Sequence, residues 1–156
     1  MPEALRRRVA AYLREHHVMT LATYGSEGLW AAAVFYADDG HNLFFLSSPT
    51  SRHCRNLAMS PRVSATIQKD YLDWQDIKGV QLEGIAREIH GREEELARRL
   101  YGEKFPVVRA LARAPAALAE AMDRVRWYEV APDRLYFVDN SAGFGHRDAI
   151  DLRSNA

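Results

Sequence analysis

The sequence predicts a mainly β protein, an antiparallel barrel of six or more strands with helices at its periphery. Three observations lead there. Strand-type segments follow one another through short polar turns over residues 18–47, as antiparallel neighbours do. Apolar and polar residues then alternate at 62–69, 79–90, 124–130 and 134–139, the period of a half-buried strand. Helical spacing is confined to the N-terminus, a short segment after residue 51 and a block at about 92–122. Helices therefore do not alternate with strands as a doubly wound parallel sheet requires.

Residues 2–17 should form a helix lying across the sheet. Pro2 suits a first turn, and Leu5, Val9, Tyr12 and Leu13 recur at helical spacing with arginines opposite. His16 and His17 at its end suit the last carbonyls better than a metal. Residues 18–24 and 29–37 read as a hairpin around Gly25-Ser26-Glu27-Gly28, and 43–47 as the third strand of a meander after a turn at 38–42. A helix at 51–59 breaks at Ser60-Pro61. In the strand at 62–69, Val63, Ala65 and Ile67 share one side; 70–78, with Tyr71 and Trp74, is a loop or bent edge. The strand at 79–90 carries Gly84 as a candidate bulge.

In the helical block, Glu94 with Arg98 and Glu95 with Arg99 are favourable i,i+4 pairs, and Leu96 and Leu100 face inward. Pro106 and Pro115 divide the remainder into short helices carrying Val107, Val108 and Leu111, then Leu118 and Met122. Strands at 124–130 and 134–139 flank an Ala131-Pro132-Asp133 turn and close the sheet. A glycine-containing loop at 140–145 and a polar tail follow.

The 156 residues fit a single domain spanning 1–156. Zero formal net charge lacks the basic excess of a nucleic-acid binder. One cysteine, Cys54, excludes an intramolecular disulfide and fits a reducing compartment. No apolar run approaches a membrane span and the N-terminus lacks a signal-peptide core, so the expected location is cytoplasmic. Six histidines without an HExxH pattern, and one cysteine, imply no metal site. Sparse glycines and no Walker A lysine disfavour dinucleotide and P-loop folds.

The chemistry concentrates at residues 42–61. Here an aromatic strand runs into Ser47, Ser48, Pro49, Thr50 and Ser51, and then directly into Arg52, His53 and Arg55 at a helix start. Hydroxyls, unpaired amides and a guanidinium at a helix N-terminus suit a phosphate. The same pattern also describes an ordinary capped helix with a solvated basic start, which is commoner. Cys54 beside His53 does not form a nucleophile–base pair, since adjacent helical side chains diverge. Trp30, Phe35 and Tyr36 read as core aromatics, while Ala31, Ala32 and Ala33 would let a planar ring lie close to a strand backbone.

Residues 44–67, FFLSSPTSRHCRNLAMSPRVSATI, together with the preceding strands, resemble the flavin-binding split barrel of pyridoxamine 5′-phosphate oxidase and its relatives. The resemblance implies a split β-barrel homodimer with FMN between two subunits. Ser51 and Arg52 would bind the phosphate, with Thr50 beside them, and His53 would stand where the oxidase has a lysine. Leu46 and Ser47 would flank the ribityl chain, and Ala31, Ala32, Ala33, Val34, Phe35 and Tyr36 would run beneath the isoalloxazine. The oxidase's flavin-strand arginine and lysine are replaced by Ala31 and Tyr36, and HRDAIDLRSNA has no counterpart of its substrate segment.

SRH at 51–53, GVQLEG at 79–84, KFPVVRAL at 104–111 and DNSAGFG at 139–145 resemble the YhbP-like branch of that superfamily. Within this resemblance, Asn140, Gly143, Phe144 and Gly145 form either a loop completing the ligand pocket or a tight turn that needs its glycines. The function implied is a flavin-dependent oxidoreductase acting on a small-molecule substrate or electron donor, without the vitamin B6 activity. The alternative is a non-catalytic module for flavin, deazaflavin or haem. No residue stands out as a catalytic acid or base.

Overall fold

A computed structural model describes residues 2–106, 116, 120 and 123–153. Helix α1 (Glu3–Glu15) buries Val9, Tyr12 and Leu13, the stripe that its spacing predicts. The hairpin is β1 (Val18–Gly25) with β2 (Gly28–Phe35), in unbroken register from Val18 opposite Phe35 to Gly25 opposite Gly28. Gly28 takes a φ of 95° at the turn, a conformation that glycine reaches without strain.

The chain then departs from the expected meander. Strand β3 (Ala37–Asp38) follows β2 after a single residue, Tyr36, and pairs with β4 (Leu43–Ser47), which lies on β7 (Arg126–Asp139) and not on β2. Polar residues 38–42 thus turn β3 into β4. With β5 (Arg62–Ile67) and β6 (Lys78–Glu88), the order along the sheet is β2-β1-β5-β6-β7-β4-β3. The two ends of this order are consecutive in the chain, so one bend at Tyr36 curls the sheet into a split barrel.

Two further differences have local causes. The segments expected as separate strands around Ala131-Pro132-Asp133 form one strand, β7, with a register shift opposite Glu83 and Gly84. A Cβ on Gly84 would lie 2.2 Å from the Ala131 carbonyl oxygen, so the missing side chain admits the bulge. The polar tail is also partly ordered, as β8 (Arg147–Asp151), antiparallel to Arg134–Val138 of β7 through Ile150 opposite Leu135.

Inside the barrel pack Leu13, Met19, Leu21, Tyr36, Leu43, Phe45, Val80, Leu82, Val130, Leu135 and Phe137. On the outside, α3 (Gly91–Lys104) covers a second cluster of Ala37, Phe44, Ile89, Ala97, Tyr101 and Trp127. Adjacent Phe44 and Phe45 therefore serve opposite faces of β4, as the strand period requires. The expected helices around Val107, Val108, Leu111, Leu118 and Met122 lie outside the described residues. No helix among the described residues is long and apolar enough to cross a membrane.

Candidate functional site

Helix α2 (Arg52–Met59) begins where β4 ends. Ser51 is its N-cap, accepting from the Cys54 amide at 3.4 Å while its hydroxyl donates to the Ser48 carbonyl at 2.7 Å. The opening amides of a helix have no intrahelical acceptor, so those of Arg52 and His53 remain for a ligand. Asn56 anchors the helix on β1 by donating to the Thr23 hydroxyl at 3.0 Å. Gly25 gives it room: a Cβ there would lie 2.1 Å from Asn56 Oδ1.

Ser47, Ser51 and His53 converge at this start. His53 Nε2 lies 2.7 Å from Ser47 Oγ and 3.3 Å from Ser51 Oγ, and the two hydroxyls are 3.4 Å apart. Burial lowers the imidazole's pKa, which favours its neutral form. It offers hydrogen bonding here rather than the fixed charge of a lysine. Thr50 Oγ1 meets Ser48 Oγ at 2.8 Å on the exposed side of the turn. Half-buried Leu46 packs towards the outer cluster beneath α3.

Arg52 takes a different direction. Its Nη2 donates to the carbonyls of Glu27 at 2.9 Å and Leu29 at 3.3 Å, and its guanidinium lies 4.3 Å from the Trp30 ring centroid. Arg52 Nε is buried without a hydrogen bond, 3.4 Å from Glu27 Oε2. Arg55 reaches the same carboxylate at 3.4 Å. Glu27 and Trp30 had no signal in the linear sequence, because 25 residues separate Glu27 from Arg52 and only the docking of α2 on β1 brings them together.

Residues 31–36 divide among three environments. Ala31, Ala33 and Phe35 are exposed on the outer face of β2, while Ala32 and Val34 are half-buried on the alternate face. Tyr36 is fully buried, its hydroxyl donating to the Leu13 carbonyl at 2.7 Å with Lys104 Nζ 4.0 Å from its ring centroid. Lys104 also donates to Leu13 O at 3.0 Å and stands 4.0 Å from Asp38. Burial lowers its ammonium pKa to about 8, against the opposing pull of Asp38.

The loop at 140–145 lies elsewhere. Asn140 donates from its amide to Ile77 O at 2.9 Å and from its side chain to Trp74 O at 2.9 Å, and accepts from Gly145 N at 3.1 Å. Gly143 and Gly145 have φ of 143° and 71°, so the turn does need its glycines. Phe144 is 84% exposed and meets Trp74 edge-on at 5.6 Å. Ser47 pairs with Arg126 at the start of β7, whereas the loop follows Asp139 at its end. The corner and the loop thus sit at opposite ends of β7, thirteen residues apart along the strand.

Beside that loop, a cleft of about 740 Å³ opens between α1 and residues 69–78, lined in part by Arg8, Tyr12, His16, Lys69, Tyr71 and Phe137. His16 stacks on Tyr12 at 3.8 Å, and its Nδ1 lies 2.7 Å from the Tyr12 carbonyl. A carbonyl only accepts, so Nδ1 donates to it, and in a neutral ring the lone pair is then on Nε2. Among the described residues, no group of three or more His, Cys, Asp or Glu could hold a metal ion.

The curled antiparallel barrel, its helix-capped corner and its outlying loop define a split barrel of the pyridoxamine 5′-phosphate oxidase type, and the model of that family matches residues 5–139. The chain belongs to that family, and within it to the UPF0306 group. It is 32% identical over 149 residues to the YhbP protein of Escherichia fergusonii, covering 94% of this chain and 92% of the relative. It is 30% identical to that of Salmonella schwarzengrund, covering 89% and 88%.

Among solved structures, a heme binding protein from Mycobacterium smegmatis superposes with a TM-score of 0.70 at 27% identity, covering 97% of this chain. The chain spans 59% of that protein's length. HutZ, the heme storage protein of Vibrio cholerae, superposes at 0.65 with 18% identity, covering 81% and 88%. A putative pyridoxamine 5′-phosphate oxidase from Listeria innocua superposes at 0.63 with 15% identity, covering 85% and 97%.

Proposed function

We propose that the protein is a homodimeric FMN-binding oxidoreductase acting on a small molecule, with the FMN phosphate at the start of α2. The observation that carries this reading is the convergence of Ser47, Ser51 and His53 beside the unpaired first-turn amides of Arg52 and His53. The amides, Ser47 and His53 are neutral groups of the kind that receive a phosphate, with Ser51 fixing the turn through Ser48 O; the Arg52 guanidinium, held by Glu27, would add its charge on turning to the ligand. FMN, when bound, supplies the hydride or electron transfer; the chain's own residues hold and orient it.

Dimerisation is supported by the outer face of the first hairpin. Val18, Tyr24, Leu29 and Phe35 are exposed there beside Ala31 and Ala33, and β2 carries no charged residue. An exposed apolar strand at the end of a sheet is a surface that proteins ordinarily cover. A second copy could also bring its 140–145 loop to the corner, which in one protomer lies at the other end of β7.

The test is an FMN titration followed by absorbance and fluorescence. Arg52→Ala should weaken binding by about 1.5–3 kcal/mol, the scale of a charge-assisted hydrogen bond. An unchanged affinity in a folded variant overturns the phosphate site. Turnover is then assayed by reducing bound flavin with a nicotinamide donor and reoxidising it with an added acceptor.

A second reading, a haem-binding module, draws on His16, which lines the 740 Å³ cleft, and on two structural neighbours that are haem-binding and haem-storage proteins. Neutral imidazole with its other nitrogen hydrogen-bonded to a carbonyl is a suitable axial ligand. A Soret band lost in His16→Ala, with FMN not retained, would favour this reading over the first.

A further inference from the structure

We infer that Glu27, on the β1–β2 turn, is an internal competitor for the phosphate corner and sets the affinity and charge of the ligands it admits. The inference rests on the proposed phosphate site and concerns how that site is regulated. Two guanidiniums three residues apart on α2, those of Arg52 and Arg55, converge on the single Glu27 carboxylate at 3.4 Å each. Arg52 is drawn in further by the carbonyls of Glu27 and Leu29 and by the Trp30 ring.

This arrangement leaves Arg52 incompletely satisfied. Its Nε is buried and makes no hydrogen bond, although the carboxylate is beside it. A guanidinium fork is at its strongest when two parallel N–H groups of one edge donate to one planar or tetrahedral oxyanion, and Glu27 does not achieve that geometry. The carboxylate instead neutralises the charge of Arg52 and Arg55 while no ligand is present. An incoming phosphate must displace it, and is repelled by it until it does.

The position of Glu27 fits such a role. Its side chain is 57% exposed, whereas that of Arg52 is 28% exposed, so the acid can swing to solvent at little expense while the arginine stays. It sits at the tip of a hairpin whose Gly28 takes a left-handed φ of 95°, a backbone state that does not depend on the acid. Removing the charge should therefore leave the hairpin in place and free the guanidiniums for the ligand.

The experiment compares wild type with Glu27→Gln and Glu27→Ala. FMN, riboflavin and inorganic phosphate serve as probes, and binding is read by flavin fluorescence and by quenching of Trp30, with Trp30→Phe as the control. Both variants should bind FMN and inorganic phosphate roughly three- to tenfold more tightly, the effect of relieving one or two partly exposed ion pairs. Riboflavin, which has no phosphate, should be unaffected.

If FMN binds wild type and the variants equally, the competitor role is overturned and the cofactor reading stands. If FMN binds none of them while phosphate perturbs Trp30 more strongly in the variants, the cofactor reading fails and the competitor role stands. Equal gains for riboflavin and FMN, or no gain with any probe in variants whose melting temperature matches wild type, overturn it.

Discussion

The two ends of β7 carry the two parts of the candidate site, and they are built in opposite ways. At the Arg126 end, the corner gathers groups that still have hydrogen-bonding capacity: the Ser47 hydroxyl, the His53 imidazole and the opening amides of α2. At the Asp139 end, the loop satisfies itself. Asn140 uses its amide, its side-chain nitrogen and its side-chain oxygen on neighbouring backbone, and Asp139 accepts from Ser141 while holding Arg8 at 2.5 Å. The two ends divide the labour: the corner can give hydrogen bonds to a ligand, whereas the loop can give little beyond the exposed Phe144 ring.

The strongest way to break this comparison is to break the strand that joins its two sides. Gly84→Val places side-chain atoms where a Cβ already meets Ala131 O at 2.2 Å and Pro132 Cα at 2.8 Å. Both are backbone, so β6 and β7 must separate. A loss of about 3 kcal/mol or more is expected in urea denaturation, with both ends disturbed together. A variant as stable as wild type would show that the bulge does not depend on glycine.

A smaller change should affect one end alone. Asn140→Ala removes the hydrogen bonds to the Trp74 carbonyl and from the Gly145 amide, and a loss of about 0.5–1.5 kcal/mol follows. Trp30 fluorescence, which reports the corner through Arg52, should keep its native spectrum. A shifted Trp30 spectrum would mean that the ends are coupled through β7.

Acid should separate the two ends more gently. His53 has its pKa lowered by burial, so the unfolded chain binds that proton more readily and the corner loses stability as pH falls below 6.5 towards the folded value. For Asp139 burial raises the pKa, but the Ser141 hydroxyl and amide, Lys78 and Arg8 together outweigh it and hold it below 3.8. Its contribution is present above 3.8 and lost as pH falls through the folded value. On acidification Trp30 should therefore respond before Trp74. Coincident transitions, or an unchanged order in His53→Asn, would remove histidine as the cause.

Local readings of the sequence succeeded where local rules suffice. The stripe of Val9, Tyr12 and Leu13, the Ser51 cap and the Gly84 bulge all follow from spacing and side-chain size. The meander failed because nothing local reveals that β2 ends at Phe35 and that Tyr36 turns the chain across the barrel. Strand β8 was hidden by its composition, with Ile150 its only buried residue. At the site, Ser47, Ser51 and His53 were legible as one cluster because they lie within seven residues of each other. The hold of Glu27 on Arg52 was not, since it depends on how α2 docks on the hairpin, and neither was the Lys104 ammonium over Tyr36, which joins α3 to the barrel interior.

The pairing of β4 with β7 also bears on how the chain is made. Leu43 finds its partner at Val130, 130 − 43 = 87 positions later, while the β1–β2 hairpin closes within 18 residues. During synthesis the hairpin can form as soon as it emerges, but Phe44 and Phe45 must wait until most of the chain has been made. Contacts of such long range form late and slowly, and an apolar strand left waiting is prone to wrong partners. Truncation before Arg126 should accordingly yield a chain that precipitates or is held by chaperones, rather than a smaller barrel.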